Sequence, residues 1–176
     1  MFHIIPILAA NYLLKKIIPN PIENLQKSLI DNIIKNNVTP VTGSIVYCEL
    51  ALGIAEHSGI FVGNGKIAHL DGSGNIELVS PKKFLNRLGG FNTAVSIYVS
   101  SKESSSSGDK KIACRAMEMA GNSRKYNLIF DNCHQFASGC ITGNFENSDN
   151  FLWMLKDRAE KNIDCDNWRV WDRSGQ

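Results

Sequence analysis

No apolar run in this sequence is long enough to cross a bilayer, which takes about 20 consecutive residues. Neither sign of charge dominates, because 19 Lys and Arg stand against 17 Asp and Glu for a formal net charge of +2. The sequence has no compact CxxC or HxxxH pair of the kind that begins a zinc site, and no internal repeat. These absences argue against a membrane-spanning chain, a nucleic-acid partner and a repeat architecture.

The cysteines lack the even number and regular spacing of a disulfide framework. There are five of them, and we expect free thiols and a reducing, cytoplasmic location. We expect no cofactor. The five are Cys48, Cys114, Cys133, Cys140 and Cys165.

The first residues form a short apolar segment, Phe2–Leu14, followed directly by Lys15-Lys16. It has no basic region before it and no small-residue cleavage site after it, so a classical signal peptide is not expected. Two interpretations stay open. The segment either makes peripheral contact with a membrane as an interfacial anchor, or it packs on the core or between subunits.

Hydrophobic periodicity and turn residues divide the chain into three regions. Residues 1–37 hold the apolar segment and an amphipathic helix over Pro21–Asn36, residues 38–145 form the core, and residues 146–176 form a C-terminal helix and tail. Strands and helices without regular βαβ alternation indicate an α+β fold. The predicted strands cover 44–50, 75–79 and 94–99, the predicted helices cover 81–87, 109–120 and 150–161, and the serine-rich stretch 100–108 is expected to be an exposed, mobile loop.

A β-hairpin is predicted over Ser58–Leu70, with Gly63-Asn64-Gly65 at its turn. Loop length decides where its histidines point, because side chains alternate between the faces of a strand. A two-residue turn would put His57 and His69 on opposite faces. A three-residue or bulged loop pairs Gly59 with His69, puts both histidines on one face, and leaves an open notch at Gly59. We expect the second arrangement.

A helix is predicted to begin at Cys133, with Asp131 or Asn132 as its N-cap and Gly143 as its stop. A cysteine in the first turn is favoured as thiolate, and nearby backbone N–H groups could hold an oxyanion. Cys140, two turns further along the same face, is assigned to the core. A nucleophile, a base and an orienting group are what a cysteine acyl-transfer enzyme needs.

These motifs resemble the lecithin:retinol acyltransferase family, whose relatives include the H-Ras-like suppressor phospholipase/acyltransferases. The resemblance covers roughly Thr42–Thr142. It rests on Gly43-Ser44-Ile45-Val46, on His57-x-Gly-Ile-Phe-x-Gly with His69, and on Asn132-Cys133-x-x-Phe136. The family usually reads Asn-Cys-Glu-His-Phe, whereas this chain has His134 and Gln135 in that motif.

The resemblance implies a circularly permuted papain-like fold of the NlpC type, with an antiparallel sheet packed against the helix of the nucleophile. It implies Cys133 as nucleophile, His57 as base and His69 as orienting group, acting through a thioester. Asn132, His134 and Gly59 are candidates for substrate binding or the oxyanion. If the resemblance extends to the substrate, the acyl donor is a phospholipid.

Three alternatives stay open. The same three catalytic residues could cleave a peptide or cell-wall amide. His57, His69, Cys133 and His134 could instead hold zinc, since nitrogen and sulfur ligands suit that metal. A catalytically silent binding module would also keep these residues.

Overall fold

The computed structural model describes residues 37–50, 55–86, 96–124 and 132–173. The predicted segment Phe2–Leu14 and the predicted helix Pro21–Asn36 lie outside these residues. Strands and helices alternate irregularly in the order β1 (Ile45–Leu50), β2 (Ala55–Gly63), β3 (Lys66–Leu70), β4 (Ile76–Val79), α1 (Pro81–Leu85), β5 (Tyr98–Lys102), β6 (Ser105–Ser106), α2 (Lys110–Met119), α3 (Cys133–Thr142), α4 (Leu152–Ile163) and β7 (Asn167–Val170). The predicted α+β class is confirmed.

The strands form one antiparallel sheet in the order β4-β3-β2-β1-β5-β6, and β7 pairs with β5. Each connection from β1 to β4 joins neighbours in the sheet, so the histidine hairpin occupies the middle of a meander. None of the helices in the described part of the chain is long and apolar enough to cross a membrane.

Two apolar clusters lie on the two faces of the sheet. The first, the helix-side core, joins Ile60 and Ala68 of the hairpin to residues of α2, α3 and α4. The second, the Phe84-side core, joins Phe61 and Ile67 of the same hairpin to α1. Because side chains alternate along a strand, residues 57, 59, 61, 67 and 69 belong to the Phe84 side.

The serine-rich stretch 100–108 is only in part the exposed loop that its composition suggests, because residues 102–105 are exposed around a turn whereas its first two serines are buried. Ser100 and Ser101 are fully buried in β5. The Ser100 hydroxyl accepts a hydrogen bond from the Ile45 N–H at 3.0 Å and donates one to the Ser107 carbonyl at 2.8 Å. Polar composition failed as a guide at Ser100 and Ser101 because both hydroxyls are hydrogen-bonded inside the protein.

Two further predicted elements, a strand and a helix, are shifted along the chain, and one strand of the structure is not predicted. The described strand β5 starts at Tyr98 and runs to Lys102, later than the predicted range 94–99. The C-terminal tail contains a strand, β7, that the sequence pattern did not indicate. The helix predicted over 150–161 is present as α4, two residues later.

Candidate active site

The β2–β3 hairpin has a two-residue turn combined with a bulge. Asn64-Gly65 forms the turn, and both residues have positive φ, as this type of turn requires. A register shift between Phe61 and Gly63 adds one residue to β2, after which Ile60 pairs with Ala68. The predicted three-residue or bulged loop is therefore confirmed in its bulged form.

This register brings the two histidines together. Nε2 of His57 and Nδ1 of His69 are 3.0 Å apart, and the rings meet edge to face with centroids 5.0 Å apart. Both residues are buried. A one-residue change in the turn would have put the two imidazoles on opposite faces, so the bulge makes this contact possible.

Phe84 of α1 forms the apolar wall beside the pair. Its ring centroid is 4.8 Å from that of His57 and 5.8 Å from that of His69. Ser80 caps α1 by accepting from the Lys83 N–H, and Pro81 fits the first helical position. The capped helix therefore holds Phe84 against both imidazoles and restricts their rotation.

The hydrogen bond between the two imidazoles links their tautomers, because one ring must donate and the other must accept. If His57 acts as a base through Nδ1, its proton must sit on Nε2. That N–H then donates to Nδ1 of His69, and His69 carries its own proton on Nε2. The same donor remains in place when His57 becomes an imidazolium, so His69 can orient the ring in both states.

Cys133 is the first residue of α3, and Asn132 is its N-cap. The Asn132 side chain accepts from the N–H groups of His134 and Gln135, and Gln135 Oε1 accepts from the Asn132 N–H at 3.2 Å. This reciprocal capping box fixes the start of the helix. The helix ends at Gly143, which has the left-handed conformation expected of a stop.

The cap leaves fewer backbone N–H groups at the start of α3 that could bind an oxyanion. Asn132 already occupies the His134 and Gln135 amides, and its own side-chain amide donates to the Asn150 carbonyl at 2.8 Å. Asn132 therefore acts here as a structural cap that ties α3 to the segment before α4. We take the backbone N–H of Cys133 as the first-turn candidate for an oxyanion contact.

The described cysteines differ in their surroundings. Cys140 is fully buried in the helix-side core, as predicted, and burial raises the pKa of its thiol. Cys114 is exposed on α2. All five cysteines lie in the described residues, and their thiols are free of disulfide bonds. Among the described cysteines, Cys133 alone lies at the start of a helix that packs on the histidine hairpin.

His134 does not point toward the histidine pair. Its Nδ1 lies 3.0 Å from the hydroxyl of Ser58, and both side chains are buried. Burial lowers the pKa of His134 to about 4, so its imidazole is neutral at neutral pH. This contact joins α3 to β2 between the residues that directly follow Cys133 and His57.

The notch expected at Gly59 is absent. A Cβ atom at this position would lie 2.7 Å from the Ala68 carbonyl oxygen and 3.2 Å from Cβ of His69. The space is filled because β3 packs closely against β2 at the pair Gly59–His69. Gly59 therefore permits the close approach of the strands rather than opening a substrate notch.

The four residues considered for zinc do not converge. His134 meets Ser58, which points to the sheet face opposite His57 and His69. Within the described ranges, no group of three or more His, Cys, Asp or Glu has the arrangement to hold a metal ion. The geometry therefore gives the zinc hypothesis no support.

Sequence reasoning missed three residues that build this site. The sequence pattern marks Ser58 only as a strand residue, whereas the structure turns its side chain toward α3. Phe84 was one apolar residue of a short helix. Gln135 completes the capping box and donates to the Asn147 carbonyl at 2.6 Å. Only the Gln135 role had a local signal, the spacing of a capping box.

Comparison with known proteins gives one family. The family model described as "Lecithin retinol acyltransferase" matches residues 39–146, which is more than half of the chain. No curated protein matches the chain. The matched range contains the histidine hairpin and the capped helix of Cys133, and each apolar cluster also has members outside that range. This chain belongs to the lecithin retinol acyltransferase family.

Proposed function

We propose that this protein is a cysteine-dependent acyl-transfer enzyme that forms a thioester on Cys133. Members of its family are in general acyltransferases or phospholipase-type enzymes. The observation that carries the proposal is the buried contact of 3.0 Å between His57 and His69. In this proposal His57 is the base, His69 sets its tautomer by accepting from Nε2, and Cys133 at the start of α3 is the nucleophile.

In the first half-reaction, Nδ1 of His57 takes the thiol proton of Cys133. The thiolate attacks the carbonyl carbon of an ester and forms a tetrahedral oxyanion. The oxyanion collapses to a thioester as the carbon–oxygen bond breaks, and the His57 imidazolium returns its proton to the departing alkoxide. His69 accepts from Nε2 of His57 throughout and holds the ring in place.

In the second half-reaction, water or the hydroxyl or amine of an acceptor attacks the thioester. His57 removes the proton of this nucleophile and returns a proton to the sulfur of Cys133. Water as nucleophile gives a hydrolase, and an acceptor gives a transferase. We propose a phospholipid as acyl donor and a circularly permuted papain-like arrangement of the fold, both from the family resemblance.

The proposal requires coupling between Cys133 and His57. The Ser58–His134 hydrogen bond brings the backbones of α3 and β2 together next to these two residues, because it joins the residues that directly follow them. His57 itself points to the sheet face opposite Ser58, so a direct measurement of coupling is decisive. We expect the His57→Gln variant to lower the thiolate fraction of Cys133 at neutral pH, measured by the pH dependence of alkylation with iodoacetamide.

Intact-mass analysis after incubation with phospholipid vesicles tests the reaction itself. We expect an added acyl mass that maps to Cys133 by peptide analysis. Cys133→Ser should abolish turnover, because a hydroxyl is far less ionised than a thiol at neutral pH. Cys114→Ser, which changes an exposed thiol outside the site, is the matched control and should keep full activity.

Three outcomes would contradict the proposal. Turnover by Cys133→Ser equal to that of the parent protein would remove the nucleophile. Activity on peptidoglycan fragments with none on phospholipid vesicles would favour the amidase alternative. Absence of any labelling by an acyl-directed thiol probe would favour a silent binding module.

We further propose that the apolar segment Phe2–Leu14, outside the described residues, makes peripheral contact with the membrane. Its deletion should then lower co-sedimentation with vesicles while activity on a soluble short-chain ester survives. Unchanged sedimentation together with a lower melting temperature would show instead that the segment packs on the protein.

A further inference from the structure

We propose that Ser58 and His134 are positioning residues that set the approach of Cys133 to His57. This inference rests on the proposed function, since it concerns the geometry of the same nucleophile and base. The Ser58 hydroxyl and Nδ1 of His134 are 3.0 Å apart. Ser58 is fully buried, and His134 is nearly so.

The position of this hydrogen bond in the chain lets it influence the distance between the nucleophile and the base. Ser58 is the residue after His57 on β2, and His134 is the residue after Cys133 on α3. The backbone units of nucleophile and base are therefore each one peptide away from a common side-chain contact.

The two sides of the contact are held rigidly. The capping box of Asn132 and Gln135 fixes the backbone at His134, and Gln135 and Asn147 are joined by two further hydrogen bonds. Ser58 lies in the middle of the ladder between β1 and β2, where it pairs with Tyr47. A hydrogen bond between two rigid parts fixes distance more narrowly than apolar contacts do, because hydrogen bonds are directional.

The chemistry of the pair suits positioning and not proton transfer. His134 is neutral at neutral pH because burial disfavours its imidazolium, so it neither adds a charge beside Cys133 nor competes with His57 as base. The family motif usually has Glu at this position. A buried carboxylate there would place a negative charge next to the thiolate, whereas a neutral imidazole does not.

The test compares variants of the full chain in two measurements. The first is the pH dependence of Cys133 alkylation by iodoacetamide, and the second is kcat on a soluble short-chain ester. We expect Ser58→Ala and His134→Leu each to lower kcat by about ten- to a hundredfold, the range for a misplaced catalytic group. Both variants should also move the alkylation profile toward higher pH, which a purely structural role would not do.

Three further variants make the test specific. His134→Asn keeps a polar atom near the position of Nδ1 and should restore most of the activity. The double variant Ser58→Ala/His134→Leu should lose no more than either single variant, because both remove one contact. Ser138→Ala is the matched control, since Ser138 is a fully buried serine of α3 whose hydroxyl has no hydrogen-bond partner among the described residues.

The outcomes separate this proposal from the proposed function. If Ser58→Ala and His134→Leu keep the parent kcat and alkylation profile while His57→Gln changes both, positioning is wrong and the acyl-transfer mechanism stands. If His57→Gln and Cys133→Ser are also without effect on turnover, the proposed function fails. Circular dichroism of each variant at the assay temperature identifies any that do not fold. If one of the two contact-breaking variants does not fold, the other decides the comparison, because Ser58→Ala and His134→Leu remove the same hydrogen bond from opposite sides.

Discussion

The proton in the hydrogen bond between His57 and His69 determines which nitrogen of His57 is left to act as the proposed base. The contact of 3.0 Å leaves room for one hydrogen, which comes from His57 when its Nδ1 is free of a proton. An imidazole that accepts this hydrogen bond is neutral and does not attract the imidazolium as the carboxylate of many triads does. The contribution of His69 is therefore the orientation and tautomer of His57, and a neutral acceptor of similar shape should replace it in part.

This predicts a graded response at position 69. His69→Leu removes the acceptor and should lower kcat by about a hundredfold, with little change in KM. His69→Asn keeps an oxygen close to the position of Nδ1 and should lose about tenfold or less. Steady-state kinetics on a soluble ester provide the comparison. Equal kcat in His69→Leu and the parent protein would exclude an orienting role.

Gly59 acts by its lack of a side chain. An alanine here would place Cβ 2.7 Å from the Ala68 carbonyl oxygen and 2.8 Å from Cγ2 of Ile67. We expect Gly59→Ala to destabilise the protein by about 1–3 kcal/mol, the usual cost of overpacking. Urea denaturation measures the change.

A second hairpin glycine provides the control for Gly59. Gly65 has open space around it and a positive φ that asparagine tolerates. Gly65→Asn should therefore change stability by less than Gly59→Ala. If Gly59→Ala left the denaturation midpoint unchanged, the close packing of β2 on β3 would not be a constraint.

At the scale of elements, α3 begins with a buried neutral histidine, and this makes its docking sensitive to acid. The pKa of His134 is about 4 in the folded protein and about 6.5 when unfolded, so the unfolded chain binds more protons between these values. The lowered value means that the contribution is constant above pH 6.5, declines as the pH falls toward 4, and is flat below. The total loss is about 3 kcal/mol.

His134→Asn isolates this effect from the other titrating groups. Its stability should fall less than that of the parent protein between pH 6.5 and 4, and the two curves should run parallel above pH 7. Urea denaturation at a series of pH values gives both curves. Parallel curves through the whole acidic range would show that His134 is not buried as a neutral group.

At the scale of the whole molecule, the C-terminal region belongs to the same sheet as the site. β7 pairs with β5 from Tyr98 to Ser101, and Trp171 is buried against Phe61 with ring centroids 5.1 Å apart. Val38 forms a parallel bridge with Trp171. The family match ends at residue 146, so the stable unit of this chain extends beyond the matched range.

Trp171→Ala tests whether the C-terminal region stabilises the sheet. Loss of a buried tryptophan should cost about 3–5 kcal/mol and lower the melting temperature. Trp153→Ala is the matched control, because Trp153 is 66% exposed and its removal should change stability by about 0.5 kcal/mol or less. Similar melting temperatures for the two variants would mean that the C-terminal region does not support the sheet.

The elements that sequence could predict are those whose signals are local. The cap at Asn132, the stop at Gly143 and the α2 helix after Asp109 follow from residues within one turn of each other. The hairpin register depended on one choice of loop, and the requirement that the histidines share a face selected it. The motif at Cys133 and the hairpin were together sufficient to indicate the family.

Other features were decided by contacts between segments far apart in the chain. Ser100 is buried because its hydroxyl meets Ile45, 55 residues away, and Ser58 meets His134, 76 residues away. Gly59 lacks the open notch that its missing side chain suggests, because atoms of the neighbouring strand β3 fill that space. The sequence by itself determined which residues could carry the chemistry, because turns and caps are local. Only the tertiary structure decided which of them meet, because burial and long-range hydrogen bonds depend on how the segments pack.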